Sequence, residues 1–175
     1  MTTVIFSHGQ ESGPWGTKIL SMAERVKGLG CVAESIDYQG IADPGKRVEK
    51  LIRECAGIDD RLILVGSSMG GHVATAAAET VKAIGLFVLA PAYHIEGYEE
   101  LTPPAPDMPV CIVHGWHDDI VPVENSIRFA KGCHATLHVV DGGHRLTENI
   151  NEINDYLEQF IRSTIGKLEQ PGGKT

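Results

Sequence analysis

The chain has 175 residues, 42% hydrophobic and 22% charged, with a formal net charge of −8. That length suits one domain that buries a hydrophobic core without disulfides or metals. The acidic balance, with no basic stripe interleaved with aromatics, argues against nucleic acid and anionic membrane surfaces as partners.

Residues 3–7 read as a short buried strand that ends in the loop Ser7-His8-Gly9-Gln10-Glu11-Ser12-Gly13-Pro14. From Trp15 the apolar positions Ile19, Met22, Ala23, Val26 and Leu29 follow helical spacing, and Gly28 and Gly30 mark the stop. Residues 31–37 form a weaker strand suited to a sheet edge. Asp43-Pro44 opens a second helix, with Asp43 as N-cap and Pro44 at the first helical position. Next comes Leu62-Ile63-Leu64-Val65, which runs into Gly66-Ser67-Ser68-Met69-Gly70 and then an alanine-rich helical pattern. Residues 84–90 are a fourth strand, opening into a proline-rich excursion over 91–108 that reads as a short lid-like loop. Val110–Val113 is a fifth strand and ends in His114-Gly115-Trp116-His117-Asp118-Asp119. Pro122 begins a helix with Val123, Ile127 and Ala130 inward. Residues 135–140 give a sixth strand, ending in Asp141-Gly142-Gly143-His144. A last amphipathic helix follows to about residue 165, and 166–175 reads as a flexible tail. Residues 1–165 thus form one domain. Strands apolar on both faces that alternate with helices imply a parallel sheet covered on both sides, a three-layer α/β/α sandwich.

The chemistry collects at strand ends, where open parallel sheets place their sites. Gly66-x-Ser68-x-Gly70, between a strand and a helix, reads as a sharp turn that presents a strained serine, with glycines where a Cβ would crowd it. A serine hydroxyl does not ionise at neutral pH, so it needs a base. His144 is the candidate base and Asp118 the group that orients it, in the chain order Ser, Asp, His. The backbone N–H groups of Gln10 and Met69 are the candidate oxyanion hole. Glu11, Tyr93 and His94 are candidate substrate contacts, Glu11 through charge selection. His8 and His114, each before a glycine at a strand end, are expected to hold their turns. A metal reading of His114, His117, Asp118 and Asp119 lacks a further ligand pair, so no metal or cofactor is expected.

The set Ser-His-Gly-Gln-Glu-Ser-Gly-Pro, Gly-Ser-Ser-Met-Gly-Gly, His-Gly-x-x-Asp-x-x-Val-Pro and Asp-Gly-Gly-His resembles the α/β-hydrolases, in particular a small bacterial esterase-like branch with almost no lid. Within His114–Pro122 the resemblance puts the acid at Asp118 rather than Asp119. It also implies a minimal fold, a six-stranded parallel sheet without the two leading antiparallel strands of full-length members. The expected activity is cleavage of a small carboxylic ester or thioester through an acyl-enzyme. The alternative is a ligand-binding or interaction module that keeps the triad with little turnover.

The scattered cysteines Cys31, Cys55, Cys111 and Cys133 form no Cys-x-x-Cys pair and read as reduced. No apolar run reaches membrane-spanning length, and Val4-Ile5-Phe6 already reads as strand, so a cytoplasmic protein without a signal peptide is expected. Its partner would be a small-molecule ester. Oligomeric state is not legible in the sequence.

Overall fold

A computed structural model describes residues 1–169. Six strands, β1 (Thr2–Ser7), β2 (Val32–Ile36), β3 (Arg61–Ser67), β4 (Gly85–Leu89), β5 (Val110–Gly115) and β6 (Thr136–Val140), pair in the order β2-β1-β3-β4-β5-β6. Every pairing is parallel. The chain starts on β1, steps outward to β2, and returns across β1 to β3. Strand order therefore reverses between β1 and β3, which is where a crevice opens at the carboxyl ends. β2 is the edge expected from its mixed polarity.

Alternation along the inner strands sorts side chains onto two faces. Ile5, Leu64, Leu86, Val88 and Ile112 pack with α2 (Pro44–Cys55), α3 (Met69–Ala77) and α4 (Val123–Cys133) through Leu51, Val73, Ala74, Ala77 and Phe129. Val4, Phe6, Ile63, Val65, Phe87 and Val113 pack with α1 (Thr17–Gly28) and α5 (Ile150–Glu169) through Ile19, Met22, Val26, Ile153, Leu157 and Ile161. This is the three-layer sandwich, with both sheet faces dry.

The caps follow their chemistry. Asp43 accepts from the Lys46 N–H, with Pro44 opening α2 where its missing N–H costs nothing. Two details differ from the sequence reading. Trp15 lies in the turn before α1 and is exposed rather than on its inner face. In α4 the inward set is Val123, Ser126, Phe129 and Ala130, and Ile127 faces solvent. Over 91–108 the chain carries only a 3-10 turn at Glu99–Leu101. α5 runs to Glu169, into the stretch read as a tail, and residues 170–175 lie outside the described residues. Among the described residues no helix is long and apolar enough to cross a membrane, and the cysteines are free.

Candidate active site

The turn after β3 is forced by close packing. A Cβ on Gly66 would run into the carbonyl of Gly70, and one on Gly70 into the carbonyl of Ser7 on the neighbouring strand. Only glycine lets α3 start this close to the sheet. Ser68, between them, takes φ 54° and ψ −119°, a left-handed conformation strained for a residue with a Cβ. Its own N–H donates to Leu89 O at 2.9 Å, and its carbonyl accepts from Gly71, His72 and Ala92. The backbone is over-determined, so the strain persists and the hydroxyl is held off the sheet top.

The structure brings Ser68, His144 and Asp118 into one hydrogen-bonded line. His144 Nδ1 is 2.7 Å from Asp118 Oδ2, and Nε2 is 3.1 Å from Ser68 Oγ. An ionised carboxylate only accepts, so Nδ1 carries the proton and Nε2 is left to accept from the serine hydroxyl. The Asp118 side chain is fully buried. Its Oδ1 accepts from the N–H groups of Ile120 (2.9 Å) and Val121 (2.8 Å). Burial alone would raise its carboxyl, but the hydrogen bonds from His144, Val121 and Ile120 outweigh it and hold the group below its ordinary value. Asp118 is thereby kept as the anion that accepts from His144 Nδ1.

The loops bearing Asp118 and His144 are hydrogen-bonded to each other. His117 N–H donates to Gly142 O at 3.0 Å, and Trp116 N–H to Val140 O at 2.9 Å. A Cβ on Gly115 would strike Gly142 O. The two strand ends are therefore tied to each other.

The loop after β1 lies against the elbow, since a Cβ on Gly9 would sit 3.7 Å from Ser68 Cβ. Among the described residues the N–H groups of Gln10 and Met69 have no protein acceptor. Gln10 follows a stretch held from behind. His8 Nε2 accepts from Tyr38 N–H (2.8 Å) and Nδ1–H donates to Gly9 O (2.7 Å), a neutral tautomer that fits the lowering of this imidazole by burial. The buried Arg47 donates to Ile41 O and, at 3.3 Å each, to His8 O and Gly9 O, with its guanidinium over the Tyr38 ring. These bonds occupy the two loop carbonyls that precede Gln10.

Two side chains stand out beyond what the sequence reading assigned, His114 on the hydrogen-bonded line and Lys18 on residues next to it. His114 is buried on β5, with Nε2 3.0 Å from Asp118 Oδ2 and 2.9 Å from Val121 O, and Nδ1 2.7 Å from Ser126 Oγ. Both Nε2 neighbours are pure acceptors, so this nitrogen donates. The expectation that His114 braces its turn captured the bond to Val121 but not the one to the carboxylate. Lys18, in the first turn of α1, donates from Nζ to Ser67 Oγ at 3.1 Å and Arg145 O at 2.9 Å. It was missed because those partners are distant in sequence and no local pattern marks it.

Tyr93 requires a correction. Its ring is fully buried and stacks on Phe129, and its hydroxyl bonds to Thr75, so it is a core residue and offers a substrate nothing. An aromatic with one polar tip satisfies both ends inside this core. His94 lines an open groove of about 520 Å³ with Glu99, Thr102, Arg128 and Phe129, a lining that includes none of Ser68, Asp118 and His144. Its backbone is held by Thr102 Oγ1 and by Asn125. Glu11 is exposed in the loop after β1. His117 pairs with Asp141 at the surface, and among the described residues no cluster of three or more His, Cys, Asp and Glu suits a metal ion.

Residues 3–103 match the family model described as Uncharacterised protein family (UPF0227). Among solved structures, a protein of the alpha/beta hydrolase superfamily from Xanthomonas campestris pv. campestris superposes with a TM-score of 0.84 at 28% identity, over 92% of this chain and 98% of that one. Est1E from Butyrivibrio proteoclasticus gives a TM-score of 0.78 at 18% identity, over 94% of this chain and 88% of that one. Alpha/beta hydrolase domain-containing protein 10 from mouse gives 0.79 at 24% identity, over 95% and 90%. Comparison with the curated proteins finds no match. The family match spans more than half of the chain and the structural likeness nearly all of it: the chain belongs to the UPF0227 family, and its fold is that of the α/β-hydrolase superfamily.

Proposed function

We propose that the protein is a serine hydrolase that cleaves a small carboxylic ester or thioester through an acyl-enzyme. The observation that carries the reading is the unbroken line from Ser68 Oγ through His144 to the buried Asp118 carboxylate; the Gln10 and Met69 N–H groups, without a protein acceptor among the described residues, complete the reading. In this reading His144 Nε2 takes the hydroxyl proton as Ser68 Oγ attacks the carbonyl carbon. Asp118 stabilises the imidazolium and fixes its tautomer. The oxyanion is met by the two N–H groups, each contributing about 3 kcal/mol to the transition state. His144 then gives its proton to the departing alcohol or thiol, and water attacks the acyl-serine by the same route in reverse. Est1E, whose ferulic-acid-bound structure gives a TM-score of 0.80 at 17% identity, supports the fold on which such a site sits.

The short 91–108 segment leaves little chain to cover the site, which favours short acyl groups. A series of 4-nitrophenyl esters of rising chain length tests this. Activity should be highest on acetate to butyrate and vanish in Ser68→Ala. Best activity on long chains would contradict the short-acyl reading, and turnover surviving in Ser68→Ala would contradict the nucleophile.

A further inference from the structure

Lys18 is a cation held at the edge of this site without a counter-ion. Among the described residues it makes no ion pair, whereas Arg25, Arg53, Arg61 and Arg162 each do. Its two partners are neutral, the Ser67 hydroxyl and the Arg145 carbonyl. One precedes the candidate nucleophile in the chain and the other follows the candidate base. An ammonium has three donors, so one is left beyond these two bonds. Arg47, a buried cation that also makes no ion pair, differs: its Nε and Nη1 donate to three carbonyls and its guanidinium lies over a ring.

Burial pushes the Lys18 ammonium down to about 8, the mark of a charge taken partly out of water with nothing to balance it. Holding such a charge disfavours the folded state, and it is relieved when an anion arrives. The surface as a whole carries a net charge of −8 and would repel that anion at long range. Salt screens the repulsion over about 8 Å under physiological conditions, so inside the site the local cation dominates. Adjacent Cα atoms are about 3.8 Å apart, and with the contact to Ser67 Oγ this puts Nζ within roughly 12 Å of the Ser68 hydroxyl. A short organic acid group spans that gap.

We propose that Lys18 is the substrate-binding cation of the site, and that the ester it serves carries a carboxylate close to the scissile bond. The proposal rests on the serine-hydrolase reading of Ser68, Asp118 and His144. With the carboxylate bound, Lys18 keeps its bonds to Ser67 and Arg145 and spends its third N–H on the substrate.

Two matched ester pairs test it, with each rate corrected for spontaneous hydrolysis. Mono-4-nitrophenyl glutarate against 4-nitrophenyl butyrate places the charge on the acyl side. 4-Acetoxybenzoate against phenyl acetate places it on the leaving side. The wild type should favour at least one anionic member by about ten- to a hundredfold in kcat/KM. Lys18→Met should erase that ratio mainly through KM, and Lys18→Arg should keep part of it. Free glutarate should inhibit the wild type competitively, and neutral glutaramide should not, a measurement that needs no variant to fold. No preference in either pair, or a preference that survives in Lys18→Met, would overturn the proposal. Fluorophosphonate labelling of Ser68 separates the two readings. If Ser68 labels and neutral esters turn over without anion preference, the Lys18 inference alone falls. If Ser68 does not label, the hydrolase reading falls with it.

Discussion

His114 and His144 converge on a single oxygen, Oδ2 of Asp118, from 3.0 Å and 2.7 Å. One imidazole faces the solvent side of the site and the other is fully buried and anchored by Ser126. The carboxylate is thus held by four donors, two imidazole N–H groups on Oδ2 and two backbone N–H groups on Oδ1. In the proposed hydrolase His114 is then a positioning residue. His114→Phe should lower kcat by about a hundredfold, the scale of a small misplacement of reacting groups, with KM little changed. His114→Gln, which can still donate to the carboxylate, should recover part of it. Equal losses in both variants would show that ring volume, not the hydrogen bond, is what matters.

Replacing the acid tests the tautomer argument. Asp118→Asn presents an amide that can donate to His144 Nδ1 and so leave the wrong nitrogen protonated. The expected loss is about 10⁴-fold in kcat. Steady-state kinetics on 4-nitrophenyl acetate measures it, and a loss below tenfold would mean that Asp119 or another group orients the base.

The elbow glycines make a prediction about folding. In Gly70→Ala the new methyl meets the carbonyl of Ser7, backbone that cannot turn aside. Urea unfolding should show a loss of more than about 3 kcal/mol, or no folded protein, as expected for overpacking against main chain. Gly132→Ala, where a Cβ meets nothing within 4 Å, should cost far less.

Stability should fall as the solution is acidified through two groups. His8 is lowered from 6.5 chiefly by burial, so its contribution is present above 6.5 and is lost as pH falls below it, where the unfolded chain takes up the proton first. Asp118 lies below 3.8, so its contribution is present above that value and is lost only as pH falls through the folded one. Tm should therefore drop between pH 7 and pH 5 and again below pH 4. His8→Gln should lower Tm at pH 7 but flatten the first drop. An unchanged slope between pH 7 and pH 5 would reassign it to His72, His94 or His138, which burial also lowers.

What could be read from the chain alone followed from physics that acts over short stretches. Runs such as Leu62–Val65 are apolar on both faces because both faces are covered, and Gly66 and Gly70 flank a serine because main chain passes where a Cβ would be. That Ser68, Asp118 and His144 come together was legible because each follows a strand, and parallel strands bring their ends together. Tyr93 was misread because polarity at a loop position suggests solvent, whereas Thr75 supplied its hydroxyl with a partner inside the core. Ser126 was hidden for the opposite reason. Hydropathy favours Ile127 as the inward residue, but the helix turns a serine inward to meet the His114 imidazole. Lys18 depends on contacts with Ser67 and Arg145 that only the folded chain creates.

The central claim is that Ser68 is a nucleophile activated by His144. Intact-mass measurement after exposure to a fluorophosphonate probe tests it most directly. A single adduct that maps to Ser68, formed by the wild type and absent from a folded Ser68→Ala variant, is the predicted result. An unmodified wild type, or an adduct that persists in Ser68→Ala, would contradict it.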